Sequence, residues 1–292
     1  MLKIIIFFID GFGIGNKDDI NNPFNLAHLP NYKYIIKNYI YIPTNANIGI
    51  EGLPQSATGQ TTIFTGVNAS KVLGRHLQGQ PTFTLKNIIN RTNIFKSLYE
   101  KGFKVSNVNV YRDDYLKMML DINNRKIRPS VTSVMSMSIK LKFRCIREFN
   151  QGLGVYHDIT GEKLFEEGYI NNMISEKQAA KVVSDLLENH DVLLFEHFMC
   201  DIIGHKKDMK LALSELEKID NFLGGLINFI DLKNNVIFIT SDHGNIEDLS
   251  VKTHTNNLVP TIIINETMKK CDIKITNLCD IEKVIKYIVN KG

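Results

Sequence analysis

The chain has 292 residues, enough for one large domain or for a core carrying a smaller second one. Hydrophobic residues make up 43% and charged residues 23%, with no low-complexity tract or internal repeat, which excludes a disordered or fibrous protein. The net charge of +4 is scattered through isolated Lys and Arg, so nucleic acid is not an expected partner, whereas a mild positive bias suits a small anionic substrate.

In chain order, the first element is the apolar run at residues 4–9. It stops at Asp10, lacks a small-residue cleavage site and falls far short of the ~20 apolar residues that span a bilayer. It therefore reads as a buried strand. Cys145, Cys200, Cys271 and Cys279 form no CxxC pair, as expected of reduced thiols. The expectation is a cytoplasmic protein with no membrane attachment.

Asp10-Gly11-Phe12-Gly13 closes this strand with glycines that let the backbone turn beside an ion or phosphate, but the spacing is not GxGxxG. Next comes Gly52-Leu53-Pro54-Gln55-Ser56-Ala57-Thr58-Gly59-Gln60. A serine hydroxyl is a poor nucleophile unless a base or metal lowers its pKa. With no His or Lys near Ser56 in sequence, metal activation is the expected device. Thr58 and Gln60 are candidates to line the pocket beside it.

From about residue 71 the character changes, and the span 71–184 is expected to be an inserted, smaller α+β cap. Short strands are predicted at 105–111 and 131–138, and a helix at 94–101. Apolar strands covered on both faces are predicted at 192–195, 236–240 and 260–264. The Leu and Ile positions between 209 and 230 recur every three or four residues, which predicts an amphipathic helix, and a last helix is predicted at 280–290. This alternation defines an α/β fold: a mostly parallel sheet covered by helices, its core made of residues 1–70 and 185–292. Chemistry in such sheets gathers beyond the carboxyl ends of the strands.

Three clusters of metal-ligand type lie at such positions. Asp201-x-x-x-His205 places carboxylate and imidazole on one face if a helix begins there. Asp242-His243 follows a strand directly, so the two side chains can point to opposite sides. His254 lies eleven residues beyond His243, just before the strand at 260–264.

Ser56-x-x-Gly59 after Gly-Leu-Pro, with Asp10-Gly11, Asp201-x-x-x-His205, Asp242-His243-Gly244-Asn245 and His254-Thr255-x-Asn257, all in order, resembles the alkaline phosphatase superfamily. Within it the nucleophile segment resembles that of cofactor-independent phosphoglycerate mutases and phosphopentomutases. The resemblance covers the core and does not extend into the cap. It implies two divalent ions, one held by Asp201, His205 and His254 and the other by Asp10, Asp242 and His243 with Ser56. Oxygen and imidazole ligands without thiolates suit Mn²⁺ or Zn²⁺, and the three carboxylates favour Mn²⁺.

The implied activity is phosphoryl transfer through a phosphoserine, as a phosphatase or phosphomutase acting on a small phosphorylated metabolite. The alternatives are a phosphodiesterase or nucleotide pyrophosphatase with the same core, or a metal-stabilised binding module without turnover. Ser56 lacks the Cys/Ser-x-Pro-x-Arg context of a sulfatase. Arg75, Arg112, Arg128 and Arg144 are candidates to grip phosphate, because a guanidinium fork matches it bidentately. Gly74-Arg75-His76 and Tyr156-His157-Asp158 are the polar clusters singled out as substrate-binding, through Arg75, His76 and His157.

Overall fold

A computed structural model describes residues 2–121, 123, 124 and 126–291. Strand β1 (Lys3–Ile9) lies inside a six-stranded sheet with β2 (Ile40–Thr44), β3 (Val105–Asn107), β6 (Val192–His197), β7 (Asn235–Thr240) and β8 (Val259–Ile264). The order is β2-β8-β7-β1-β6-β3. β1 runs parallel to β6 and β7, and β3 runs parallel to β6, while β8 is antiparallel to both β7 and β2.

The continuous apolar pattern of β1 has a direct cause in this topology. Ile5, Phe7 and Ile9 join the core on one face of the sheet and Ile4, Ile6 and Phe8 the core on the other. Each such burial contributes about 1.5–3 kcal/mol. The helices Glu176–Glu188 and Met209–Phe229 cover the first face; Ser56–Thr65, Phe83–Arg91, Ile94–Tyr99, Val131–Ser138 and Ile281–Lys291 supply buried residues to the clusters on the second.

The span 71–184 is divided between two environments. It supplies β3 to the main sheet, and helix Glu176–Glu188 packs against helix Met209–Phe229. A smaller unit stands on this frame: β4 (Val110–Tyr111) pairs with β5 (Arg144–Cys145) beside an apolar cluster of Val110, Phe149, Tyr156, Leu164 and Ile170. The strand expected at 105–111 is thus split between two sheets. The strand expected at 131–138 is a helix, Val131–Ser138. Its β-branched residues suggested a strand, but the Ser130 hydroxyl caps it by accepting from the Ser133 amide, and Val131, Val134 and Met135 are buried at helical spacing.

The antiparallel course of β8 matters for function. The segment entering β8, which carries His254, lies at the same edge of the sheet as the residues leaving β1, β6 and β7. β2 is antiparallel to β8 and delivers the following helix, Ser56–Thr65, to that edge as well.

Candidate active site

Asp10 leaves β1, and helix Met199–Lys206 follows β6 with Asp201 in its first turn and His205 in its last. Asp242 and His243 leave β7. Close approach of these pieces depends on two glycines. A Cβ on Gly11, which has φ +72°, would lie 2.8 Å from Asp201 Cα, and one on Gly59 would lie 2.8 Å from Asp242 Cβ. The glycine of Ser56-x-x-Gly59 is therefore what lets the helix that begins at Ser56 rest on the Asp242 turn.

All seven core residues singled out in the sequence meet here. Asp201 Oδ1 lies 3.4 Å from His205 Nε2 and 3.2 Å from His254 Nε2, and the two imidazole nitrogens are 3.2 Å apart. His243 Nε2 lies 3.0 Å from Ser56 Oγ, 3.1 Å from Asp10 Oδ1 and 3.7 Å from Asp242 Oδ2. The rings of His243 and His254 stack at 3.7 Å, joining the two groups. Gln60 donates to Asp10 Oδ2 at 3.3 Å, and Thr58 is buried with its hydroxyl on the Gln55 carbonyl.

The donor set fits cations. Both Asp242 carboxylate oxygens are buried with no hydrogen-bond donor, an arrangement costly for a carboxylate unless a cation completes it. His205 Nδ1 donates to the Lys252 carbonyl at 2.7 Å and His254 Nδ1 to the Pro54 carbonyl at 2.9 Å. Each Nε2 lone pair is thereby turned toward the carboxylates, the usual orientation of a ligating histidine. Asp201, His205 and His254 form one group of metal-ligand geometry, and Asp10, Asp201 and His243 a second.

Electrostatics agree. Burial and the neighbouring Asp10 push the Asp242 carboxyl well above its usual range. Burial opposes a charge on His243, yet Asp242 and Asp10 outweigh it and raise the imidazole to about 10. Burial likewise opposes ionisation of Asp201, but hydrogen bonding from His254 and the nearby His243 hold it below the usual carboxylate range. Without bound cations the cluster balances its acids only with protons.

Glu247 ties the three site loops together. Its carboxylate accepts from the Gly13 amide at 3.1 Å, the Asn245 amide at 2.7 Å, Thr255 Oγ1 at 2.5 Å and Asn257 Nδ2 at 3.0 Å. Its sequence signal was only its place just after Asp242-His243-Gly244-Asn245.

Beyond Ser56 opens a cavity of about 550 Å³. His157 lines it, half-buried and stacked on Phe198 at 3.9 Å, with desolvation and the nearby His197 lowering its pKa. Arg75 and Arg128 are exposed and outside the cavity lining. His76 also lies outside it, because both ring nitrogens are engaged by Ser70 Oγ and the Ile50 carbonyl. Arg144 is spent on the fold, bonding Ser106 Oγ at 2.7 Å, whereas Arg112 does line the cavity. The chain does stay beside the Ser56 segment, with Leu77 bonded to Thr58 and with Gln78, Gly79 and Gln80 lining the cavity, but Arg75 faces solvent and His76 is turned to Ser70 and Ile50.

Glu196 was not among the residues singled out in the sequence. It lines the cavity, hydrogen-bonded by Thr132 Oγ1, and Asn109 grips its backbone in place of a strand neighbour, at 2.7 and 2.8 Å. The available signal was a carboxylate directly after the apolar run Val192–Phe195, still within strand β6. Burial, with a further push from Asp10, raises Glu196 from 4.5 to about 7. Its folded form therefore holds a proton that the unfolded chain has lost, so stability falls as pH rises from about 4.5 to 7, by about 3 kcal/mol at most. In metal-free protein, the stability of Glu196→Gln minus that of wild type should rise across this window in denaturant titrations. A pH-independent difference would refute the assignment.

The paired ligand groups are of the metalloenzyme type, and the fold is similar to that of alkaline phosphatases. The chain belongs to the metalloenzyme superfamily, whose family model matches residues 2–289. It is 33% identical over 131 residues to the 2,3-bisphosphoglycerate-independent phosphoglycerate mutase of Ehrlichia canis (strain Jake), a match covering 41% of this chain and 26% of that protein. The match thus spans about a quarter of that relative's length.

Its backbone is similar to that of PH0037 protein from Pyrococcus horikoshii, with TM-score 0.64 and 16% identity over 100% of this chain and 97% of that one. It is also similar to alkaline phosphatase from the Antarctic bacterium TAB5, with TM-score 0.51 and 13% identity over 99% and 98%. These likenesses concern the fold. No described helix is long and apolar enough to cross a membrane.

Proposed function

We propose that the protein is a two-metal phosphoryl-transfer enzyme, a phosphatase or phosphomutase, that acts on a small phosphorylated substrate through a phosphoserine at Ser56. The observation that carries this reading is the position of Ser56: first residue of a ten-residue helix, its Oγ 3.0 Å from His243 Nε2, in the lining of the cavity together with Asp10, Asp201, His205 and His254.

Asp201, His205 and His254 would hold one divalent ion, and Asp10, Asp242 and His243 the other. Such ions lower the pKa of a bound hydroxyl and neutralise charge on a transferring phosphoryl group. Their oxygen and imidazole donors suit Mn²⁺ before Zn²⁺. The chain's own part is placement. Ser56 presents Oγ at a helix N-terminus, where the helix dipole favours an anion. A new Oγ–P bond forms as the ester P–O bond breaks, and the alcohol departs with a proton. Transfer from Ser56 to water makes a phosphatase, and transfer to a hydroxyl of the retained substrate makes a mutase. A cytoplasmic setting is supported by the four free cysteines.

The test is an assay of protein reconstituted with Mn²⁺ or Zn²⁺ against phosphomonoesters, phosphodiesters and sulfate esters. Phosphate release or isomerisation of monoesters is the expected result. Cleavage of diesters alone would move the protein to the phosphodiesterase branch, and silence throughout, with metal bound, would defeat the proposal.

A further inference from the structure

The walls of the cavity say what kind of alcohol the phosphate is attached to. Away from the ligand cluster they combine uncharged polar residues such as Gln78, Asn109 and Ser133 with two groups of aromatic rings. Tyr111 and Tyr115 stand with ring centroids 6.2 Å apart and planes within 23°. Tyr156, His157 and Phe198 form a second group, with centroid separations of 4.1 Å and 3.9 Å. Burial keeps the Tyr156 phenol neutral, raising it to about 12. Aromatic faces gain most by stacking on another flat ring. A volume of about 550 Å³ lies within the range that encloses small organic ligands.

Positive charge on these walls is scarce. Among the described residues Arg112 is the only Lys or Arg in the lining. Its Nη1 lies 2.5 Å from Glu167 Oε2, its Nε lies 3.6 Å from Asp114 Oδ1, and its guanidinium sits 5.2 Å over the Tyr169 ring. A second anionic group on the substrate would have to compete with those carboxylates for Arg112. A compact dianion such as a phosphorylated hydroxy acid is poorly matched to this wall.

We infer that the site takes phosphomonoesters whose alcohol carries an uncharged planar ring, of the aryl phosphate or nucleoside monophosphate type. This rests on the reading of Ser56 as the phosphoryl acceptor. The ring packs among Tyr111, Tyr115, Tyr156 and Phe198 while the phosphate reaches Ser56. The Oγ–P bond forms as the P–O bond to the ring-bearing alcohol breaks, and that alcohol leaves with the serine proton. Water then splits the phosphoserine, returning the hydroxyl and releasing inorganic phosphate.

The experiment compares kcat/KM for phenyl phosphate, adenosine 5′-monophosphate, glycerol 3-phosphate and 3-phosphoglycerate in metal-loaded protein. Ring-bearing esters should be preferred by about tenfold or more. Tyr115→Ala and, separately, Phe198→Leu should shrink that ratio by about tenfold, chiefly through KM. Equal kcat/KM for all four, a preference for 3-phosphoglycerate, or ratios unmoved in both folded variants would overturn the inference.

Equilibrium binding separates this from the broader proposal. Calorimetric titration with phenylphosphonate and methylphosphonate needs no turnover. If no monoester is hydrolysed yet phenylphosphonate binds about tenfold tighter, the ring site stands and the phosphoryl-transfer reading falls; equal binding removes the ring site.

Discussion

Replacing Ser56 by alanine should lower kcat on the preferred phosphomonoester by on the order of 10³-fold or more while leaving fold and metal content intact. No other hydroxyl takes its position: Thr58 and Thr61 turn theirs back onto the carbonyls of Gln55 and Ala57. Alanine is the best helix former, so its presence at the start of helix Ser56–Thr65 costs the fold little. The Asp10, Asp242 and His243 side chains keep their supports, because Gly59, not Ser56, sets the approach of the helix to Asp242. Kinetics run beside metal analysis and thermal unfolding decide the matter. Full activity in the variant would remove Ser56 from the chemistry, whereas loss of metal together with activity would make it a structural ligand only.

The second large effect concerns Asp242, and its sign depends on the metal. The carboxylate is completely buried, has no donor, and shares its surroundings with Asp10 and Asp201. In metal-free protein this concentration of acids is unfavourable, so Asp242→Asn should raise the melting temperature of that form. With Mn²⁺ or Zn²⁺ present, wild type should gain about 3–4 kcal/mol of stability at 100 to 1,000 times the dissociation constant. The variant should lose most of that gain, with metal affinity down on the order of 100-fold or more, at least what disturbing a ligand's support costs. Melting curves of both proteins with chelator and with metal test this. Were Asp242→Asn less stable than wild type under chelator and unchanged in its response to metal, Asp242 would be a packing residue and no ligand.

Both expectations start from residues legible in the chain itself. Asp10, Ser56, Asp201, His205, Asp242, His243 and His254 stand at ends of apolar runs or in a short, distinctive segment, because a sheet buried on both faces must place its polar chemistry where strands stop. For the same reason four strands of the main sheet were recognisable from their composition. Strand β2 was not, since Pro43 interrupts it, and β3 was expected only as part of one strand at 105–111 that the fold divides between two sheets.

What the sequence by itself determined, then, is the α/β core and its ligand-bearing turns, because local hydrophobicity and the chemistry of carboxylate and imidazole act at positions the chain fixes by burial. Tertiary structure alone decided which side chains form the wall of the cavity. Arg75 and His76, close to Ser56 in sequence, are turned away from the cavity, Arg75 to solvent and His76 onto Ser70 and Ile50. Tyr111, Tyr115, Phe198 and Glu196, distant from it, are brought to the same cavity by β3, β4 and β6. Such proximity depends on strand order and on how a smaller sheet is set against a larger one, and no local pattern of residues encodes that.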